Sequence, residues 1–334
     1  MTRRAARAVR FALASIALGA APLAAQTHLV IVSGLGGEPK YSQSFATLSS
    51  ALAESAHKRF GIPDSLITWL GEDSASTLPY FRGQSTRERV EAAIDREARR
   101  AGAGDQIVLV LVGHGSGEHE DSKISLPGPD LSAADFAKLL AKFPTQKVAF
   151  VDLTSASGDV LPVLAAPNRV IITATKSALE RNESEFARFF VDAMTKDVAD
   201  TDKDGRVSLL EAFRYAVVET KRVYDNDSKL QTEHAQLDDV GNKQGVADPD
   251  GRTGEGVLAR RFFLDDRFVS QAGANDPQLA QLYKEKYALE DRVDSLIAKK
   301  PTMQPDAYDD ALEAVLVQLA RKAQTIRGIE RGAK

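Results

Sequence analysis

Short apolar runs rich in valine and isoleucine recur through the first half of the chain, with amphipathic segments between them. We predict buried strands at these runs: Leu29–Val32, Leu66–Leu70, Ile107–Val112, Val148–Val151 and Val170–Thr173. The intervening spacing of apolar residues predicts helices at Tyr41–Arg59, Arg87–Arg100 and Ala133–Phe143. Apolar strands that alternate with helices are typical of an α/β fold whose parallel sheet is covered on both faces.

The second half has a different pattern. Residues 222–258 are polar and predict a long surface loop, and Arg260–Leu264 predicts a last edge strand. Apolar residues then recur every three or four positions across residues 277–330, with a proline-bounded break at Lys299–Pro305. This spacing predicts a C-terminal antiparallel helical hairpin, which packs on itself or the domain or else supports self-association.

The first 26 residues predict a signal peptide. Four arginines precede an apolar run from Phe11 to Ala24 that is too short to span a bilayer and contains Pro22. Small residues follow, so we expect cleavage near Ala25 or Gln26 and an exported protein, periplasmic or secreted, without a membrane span in the mature chain. The main globular domain then covers residues 27–270.

Charge and cysteine content limit the partners and the stabilising interactions that we expect. Removal of residues 1–25 takes away four arginines and no acids, which leaves 39 basic and 47 acidic side chains, a net charge of −8. This balance disfavours nucleic acid or an anionic membrane surface as a partner. The chain contains no cysteine, so its stability comes from core packing or a bound ion rather than disulfides.

Two strand ends carry candidate chemistry. His114 lies in a Gly-His-Gly turn after the run Ile107–Val112, and Ser155 follows the run Val148–Val151. Parallel sheets bind ligands beyond the carboxyl ends of their strands, so we expect His114 and Ser155 at one edge. A histidine beside a hydroxyl suggests a hydrolase site.

The chain resembles the legumain family of caspase-fold cysteine peptidases. The resemblance extends over about residues 27–220 and rests on these segments in order: His28–Gly37, Gly61–Ile67, Val112–Gly117, Leu126–Leu131 and Asn168–Ser177. It implies a caspase-like, mainly parallel sheet sandwiched by helices. It also implies a cysteine–histidine dyad, in which His114 assists the nucleophile and a backbone N–H stabilises the oxyanion.

The chain departs from that family at two positions. The resemblance places Ser155 where the family has its cysteine, and Ser42 where the family has an arginine that reads the substrate side chain. A thiol has a pKa of about 8.5 and ionises readily beside a histidine, whereas a serine hydroxyl needs an oriented base. We therefore expect an inactive peptidase homologue that binds a protein or peptide partner; the alternative is an active hydrolase that uses Ser155 or Thr154 with His114.

The most specific motif in the chain is a twelve-residue acidic loop at residues 200–211. Its spacing matches an EF-hand calcium loop, with glycine at position 6 and a β-branched residue at position 8. The predicted calcium ligands are carboxylates at positions 1, 3, 5 and 12, a backbone carbonyl at 7 and a water-bridging hydroxyl at 9: Asp200, Asp202, Asp204, Glu211, Arg206 and Ser208. A solvated acidic loop is the alternative interpretation.

The segment Gln236–Asp239, near His234, is a weaker candidate for a second ion. Its alternative is a solvated loop without a ligand.

Overall fold

The computed structural model describes residues 26–196, 198–264 and 276–332. The predicted signal peptide lies outside the described residues. Within them, no helix is both long enough and apolar enough to cross a membrane.

The strands and helices of the described residues have the following bounds. The strands are β1 (Thr27–Ser33), β2 (Ile67–Gly71), β3 (Phe81–Gln84), β4 (Gln106–Val112), β5 (Gly115–Ser116), β6 (Lys123–Ile124), β7 (Leu131–Ser132), β8 (Lys147–Asp152), β9 (Arg169–Thr173) and β10 (Gln236–Asp238). The helices are α1 (Pro39–Lys58), α2 (Arg87–Arg100), α3 (Ala133–Leu140), α4 (Leu161–Leu164), α5 (Glu185–Thr195), α6 (Leu209–Asn226), α7 (Val257–Arg260), α8 (Pro277–Lys299) and α9 (Pro305–Gly332).

The main sheet has seven strands in the order β10-β9-β8-β4-β1-β2-β3. All of its pairs are parallel except that of β10 with β9. In the central pair, Leu111 of β4 lies opposite Asp152 of β8, so both strands end at the same level. Strands β5, β6 and β7 form a small antiparallel sheet directly after β4.

Alternate residues of the central strands lie on opposite faces of the sheet and pack into two separate hydrophobic cores. Leu29 and Ile31 of β1 face a core that includes side chains of α1, α5 and α6. Val30 and Val32 of the same strand face a second core built with α2, α3 and α4. A strand with apolar side chains on both faces has to be covered on both faces, which explains the continuous apolar runs in the sequence.

The predicted fold class is confirmed: a mainly parallel sheet lies between helices, and an antiparallel helical hairpin follows. Each of the five predicted strands is present, and α2 has its predicted bounds. Helices α8 and α9 form the hairpin, because Tyr283 near the start of α8 donates to Glu330 near the end of α9.

The predicted edge strand at Arg260–Leu264 is wrong. Arg260 ends the short helix α7, and Phe263 forms an isolated bridge with Ser208 at the start of α6. The edge position beside β9 is taken by β10, which lies within the segment predicted as a loop. Two further parts of residues 222–258 are helical: the last turn of α6, and α7.

Helix α3 begins with a capping box at residues 132–135. Ser132 accepts a hydrogen bond from the Asp135 N–H at 3.2 Å, and Asp135 accepts from the Ser132 N–H. Helix α2 begins after Thr86, whose side chain makes no capping hydrogen bond. The two helix starts therefore differ in the stabilisation that a hydroxyl provides.

We predict that Ser132→Ala lowers the free energy of unfolding by about 1 kcal/mol, because it leaves an N–H of the first helical turn without its acceptor. Thr86→Ala is the matched control and should cost less. Urea denaturation of both variants measures the difference, and equal losses would contradict the assigned capping role of Ser132.

Candidate functional sites

The carboxyl edge of the sheet brings His114 and Ser155 into adjoining turns. Strand β4 ends at Val112 and the neighbouring strand β8 ends at Asp152, so each residue follows its strand by two or three positions. This confirms the expected common edge. Ser155 is buried, and His114 is half-buried at the surface of the turn.

The hydroxyl of Ser155 lies against the backbone of the histidine turn. The Gly115 N–H donates to Ser155 Oγ at 3.3 Å. A side chain at Gly115 would place its Cβ 2.2 Å from the Ser155 carbonyl oxygen, so this close approach requires glycine. The next residue, Ala156, has a left-handed φ of 55°, and its N–H donates to the Glu180 carbonyl at 2.7 Å. The turn is thus held tightly by backbone contacts.

The imidazole of His114 packs against aromatic rings. Its ring centroid lies 4.8 Å from that of Tyr41 and 5.1 Å from that of Phe45, both in edge-on geometry. These two rings come from α1 and position the imidazole by packing. A cavity beside it is lined in part by charged side chains from the start of α5: Glu183, Glu185 and Arg188.

Thr154, the alternative hydroxyl, is paired with a buried carboxylate. Its hydroxyl donates to Asp152 Oδ1 at 2.6 Å and its N–H donates to the same oxygen at 3.0 Å. Burial raises the pKa of Asp152 to about 6, against the opposing effect of these hydrogen bonds. Asp152 therefore holds Thr154 and the end of β8.

A second histidine lies at this edge, and the sequence associated it only with the candidate second ion. His234 Nδ1 lies 2.6 Å from Glu180 Oε1, and the His234 N–H donates to Glu180 Oε2 at 3.0 Å. The carbonyl of the same glutamate accepts from Ala156 next to Ser155. The residues are about 54 positions apart in sequence. No local motif could have paired them.

Ser42 lies at the first turns of α1, in contact with the glycine loop after β1. A Cβ at Gly36 would lie 2.3 Å from the Ser42 nitrogen, so this loop packs closely on the helix. A nearby cavity is lined by Ser42 together with Glu72 and Asp73. The resemblance implies an arginine here that reads the substrate side chain, whereas these cavity carboxylates carry the opposite charge.

The acidic loop gathers three of its predicted calcium ligands. One carboxylate oxygen from each of Asp200, Asp202 and Asp204 lies within 4.8 Å of the others. The Gly205 N–H donates to Asp200 Oδ2 at 3.1 Å, and Gly205 has a left-handed φ of 89°. Asp200 Oδ1 is buried without a hydrogen-bond partner among the described residues. Burial, together with the charges of Asp204 and Glu211, raises the pKa of Asp202.

The remaining predicted ligands are arranged differently. Glu211 Oε1 accepts from the Thr201 N–H and hydroxyl at 2.9 Å, while Oε2 accepts from the Ser208 N–H and hydroxyl at 2.9 Å. Ser208 in turn caps α6. The Arg206 side chain is directed towards the helical hairpin, where it pairs with Glu290. The loop therefore has three converging carboxylates, while Glu211 is engaged with backbone.

These residues fit a calcium ion in charge and donor type. Calcium requires oxygen donors, which the three neighbouring carboxylates provide, one of them through a buried oxygen that has no hydrogen-bond partner among the described residues. The three negative charges repel each other until a cation binds. Bidentate ligation by Glu211 would engage both of its oxygens, which accept from Thr201 and Ser208 in this structure. Calcium binding stays a prediction.

At the candidate second ion site near His234, two carboxylates accept hydrogen bonds from the backbone of the segment that follows them. Asp238 Oδ1 accepts from Val240 and Gly241, and its Oδ2 accepts from Lys243. Asp239 accepts from the N–H groups of Gly256 and Ala259. Across the described ranges, the one grouping of potential metal ligands is that of the acidic loop. The buried carboxylates of residues 238 and 239 thus fasten the loop that follows β10.

Val246 lies on the outer side of β10. Its N–H and carbonyl exchange hydrogen bonds with Leu237 at 2.9 and 3.0 Å. The loop therefore returns along the free edge of the strand.

No family model and no curated protein matches the chain. Among solved structures, it is similar to a Geobacter sulfurreducens structural-genomics target at 14% identity and a TM-score of 0.42, over 72% of this chain and 98% of that one. It is also similar to a secreted C11 cysteine protease from Bacteroides thetaiotaomicron, solved with an irreversible peptide inhibitor. That match has 10% identity and a TM-score of 0.37, over 64% of this chain and 66% of the protease. The fold class stated above rests on strand order and register.

We predict that Asp152 makes folding less favourable as the pH rises. A carboxyl whose folded pKa is raised to about 6 contributes stability below its unfolded pKa, and that contribution is lost between about pH 4 and pH 6. Relative to Asp152→Asn, the wild type should therefore lose about 2 kcal/mol of unfolding free energy between about pH 4.5 and pH 8. Urea denaturation at both pH values measures this, and parallel pH profiles for the two proteins would refute it.

Proposed function

We propose that this chain is an exported, calcium-binding domain related to caspase-like peptidases, which lacks peptidase activity and binds a protein or peptide partner. The proposal treats the carboxyl edge of the sheet as a retained binding surface. It treats the acidic loop at residues 200–211 as a structural calcium site.

The environment of Ser155 is the observation that carries the inactive interpretation. Its Oγ accepts from the Gly115 N–H, while the His114 imidazole packs on the rings of Tyr41 and Phe45. A serine nucleophile needs a base that removes its proton, and that base is normally oriented by a carboxylate. The buried carboxylate nearest in sequence, Asp152, is bonded to Thr154 instead. The hydroxyl thus accepts from the turn, and no hydrogen bond joins it to an imidazole among the described residues.

The acidic loop supports the calcium part of the proposal. Asp200, Asp202 and Asp204 converge, and Asp200 Oδ1 is buried without a partner among the described residues. When bound, the ion would neutralise these carboxylates and fix the start of α6. Helix α6 packs against α5, which lines the cavity beside His114. A loaded loop would therefore support the binding edge through these two helices.

An active hydrolase is the second candidate. Strands β4 and β8 place His114 and Ser155 in adjoining turns, and the Gly115 N–H is available to stabilise an oxyanion if Ser155 rotates. The pair of His234 and Glu180 adds an oriented imidazole near the same turn. These features favour testing for activity directly.

We predict that the wild type does not cleave a panel of fluorogenic peptides, because no imidazole is hydrogen-bonded to Ser155 among the described residues. Ser155→Cys should gain measurable cleavage if the rest of the site is intact, since a thiol ionises far more readily beside an imidazole. The assay compares initial rates for wild type, Ser155→Cys and the double variant with His114→Ala.

The double variant controls for contaminating proteases, since any gain that depends on the site should vanish with the imidazole. Cleavage by the wild type that His114→Ala abolishes would establish the hydrolase alternative and overturn the inactive interpretation.

We predict that the wild type binds calcium with a dissociation constant on the order of 10⁻⁴–10⁻³ M, the range of extracellular modules. Asp202→Asn should weaken binding roughly tenfold or more, because it removes one of three converging charges. Isothermal titration calorimetry measures both affinities.

Asp250→Asn is the matched control, since Asp250 is an exposed carboxylate that caps its own loop through Arg252 and Thr253. It should bind calcium like the wild type. Titration curves without heat for the wild type would refute the calcium site.

A further inference from the structure

Arg206 joins the acidic loop to the C-terminal hairpin. Its side chain is 7% exposed although it carries a full charge. The guanidinium carbon lies 3.7 Å from the ring centroid of Phe263 and 3.8 Å from that of Tyr287 in α8. The charge is thus held between two aromatic faces, one from the domain and one from the hairpin.

Carboxylates from both sides complete the environment of Arg206. Its Nη2 lies 3.1 Å from Asp204 Oδ2 in the loop and 3.2 Å from Glu290 Oε2 in α8. Asp204 Oδ1 also accepts from the Arg206 N–H at 2.8 Å. One carboxylate therefore serves both as a candidate cation ligand and as an anchor of the hairpin contact.

We propose that Arg206 couples calcium binding to docking of the hairpin: calcium in the loop weakens docking, and the docked hairpin lowers the affinity for calcium. This inference rests on the proposed calcium site. It adds a regulated surface to that site, because the hairpin face that covers Arg206 becomes available when the hairpin is released.

The direction of the coupling follows from charge. A divalent ion and the guanidinium would share Asp204, and both are positive. At a separation on the order of 6 Å, their repulsion corresponds to roughly a tenfold change in binding constant even if solvent screens it fully, and to more where Arg206 is buried. A coupling free energy acts equally on calcium binding and on hairpin docking. The factor by which docking lowers the affinity for calcium is therefore the factor by which bound calcium weakens docking.

The first test removes the charge and measures calcium affinity. Arg206→Gln keeps the backbone carbonyl that would ligate the ion and should bind calcium roughly tenfold more tightly than the wild type by titration calorimetry. Arg261→Gln is the matched control. Arg261 also contacts the hairpin, through Ser295 Oγ at 3.3 Å, but shares no carboxylate with the acidic loop, so its loss should change the affinity far less than Arg206→Gln.

The second test follows the hairpin itself. Because the chain has no cysteine, Leu230→Cys in the domain and Val317→Cys in α9 provide unique positions for a pair of fluorescent labels. Both residues are exposed. Calcium should lower the energy-transfer efficiency of the labelled wild type. In the Arg206→Gln background the efficiency should already be low and should not respond to calcium.

The outcomes separate the coupling from the calcium site. Binding heat in the wild type with an equal affinity in Arg206→Gln would overturn the coupling alone, as would an energy-transfer signal that ignores bound calcium. Absence of binding heat in the wild type and in Arg206→Gln would overturn the calcium site and the coupling together. A gain in affinity in Arg261→Gln as large as that in Arg206→Gln would show that hairpin release alone, rather than the Arg206 charge, sets the affinity, and would overturn the assigned role of Arg206.

Discussion

The parallel pairing of β4 with β8 is the constraint on which the candidate site depends. With Leu111 opposite Asp152, the two strands end together, and the turns that follow are forced into contact. Gly115 then approaches Ser155 so closely that no side chain fits between them. A shift of one residue in this register would exchange the two faces of the strand and separate the turns. The chemistry of the edge is thus a consequence of strand register.

The parts of the fold that could be predicted from the sequence are those that local patterns determine. Buried parallel strands appear as continuous apolar runs, and Ser132 with Asp135 signals a helix start. Strand β10 could not be predicted in this way, because two of its three residues, Gln236 and Asp238, are polar and hydrogen-bond through their side chains to nearby backbone. Its place in the sheet depends on Ile172 of β9, far away in the sequence.

The candidate site shows the same division. His114 and Ser155 could be identified because each follows a recognisable strand, and the acidic loop could be identified because its ligands lie within twelve residues. The packing of His114 on Tyr41, the pair of His234 with Glu180, and the position of Arg206 between Phe263 and Tyr287 all join distant segments. Glu211 satisfies the spacing of a ligand, yet its carboxylate is bonded to Thr201 and Ser208. Sequence spacing thus identifies which side chains could ligate a metal, whereas packing determines which groups they contact.

The loop that returns along β10 has a consequence for how the protein behaves among other copies of itself. A free sheet edge offers unpaired N–H and carbonyl groups on which a strand of another molecule can add. Here Val246 occupies the outward-facing groups of Leu237, and the carboxylates of Asp238 and Asp239 hold the loop in place through backbone amides. The loop therefore protects this edge of the sheet against strand addition from another molecule and against aggregation, and it does so without a disulfide.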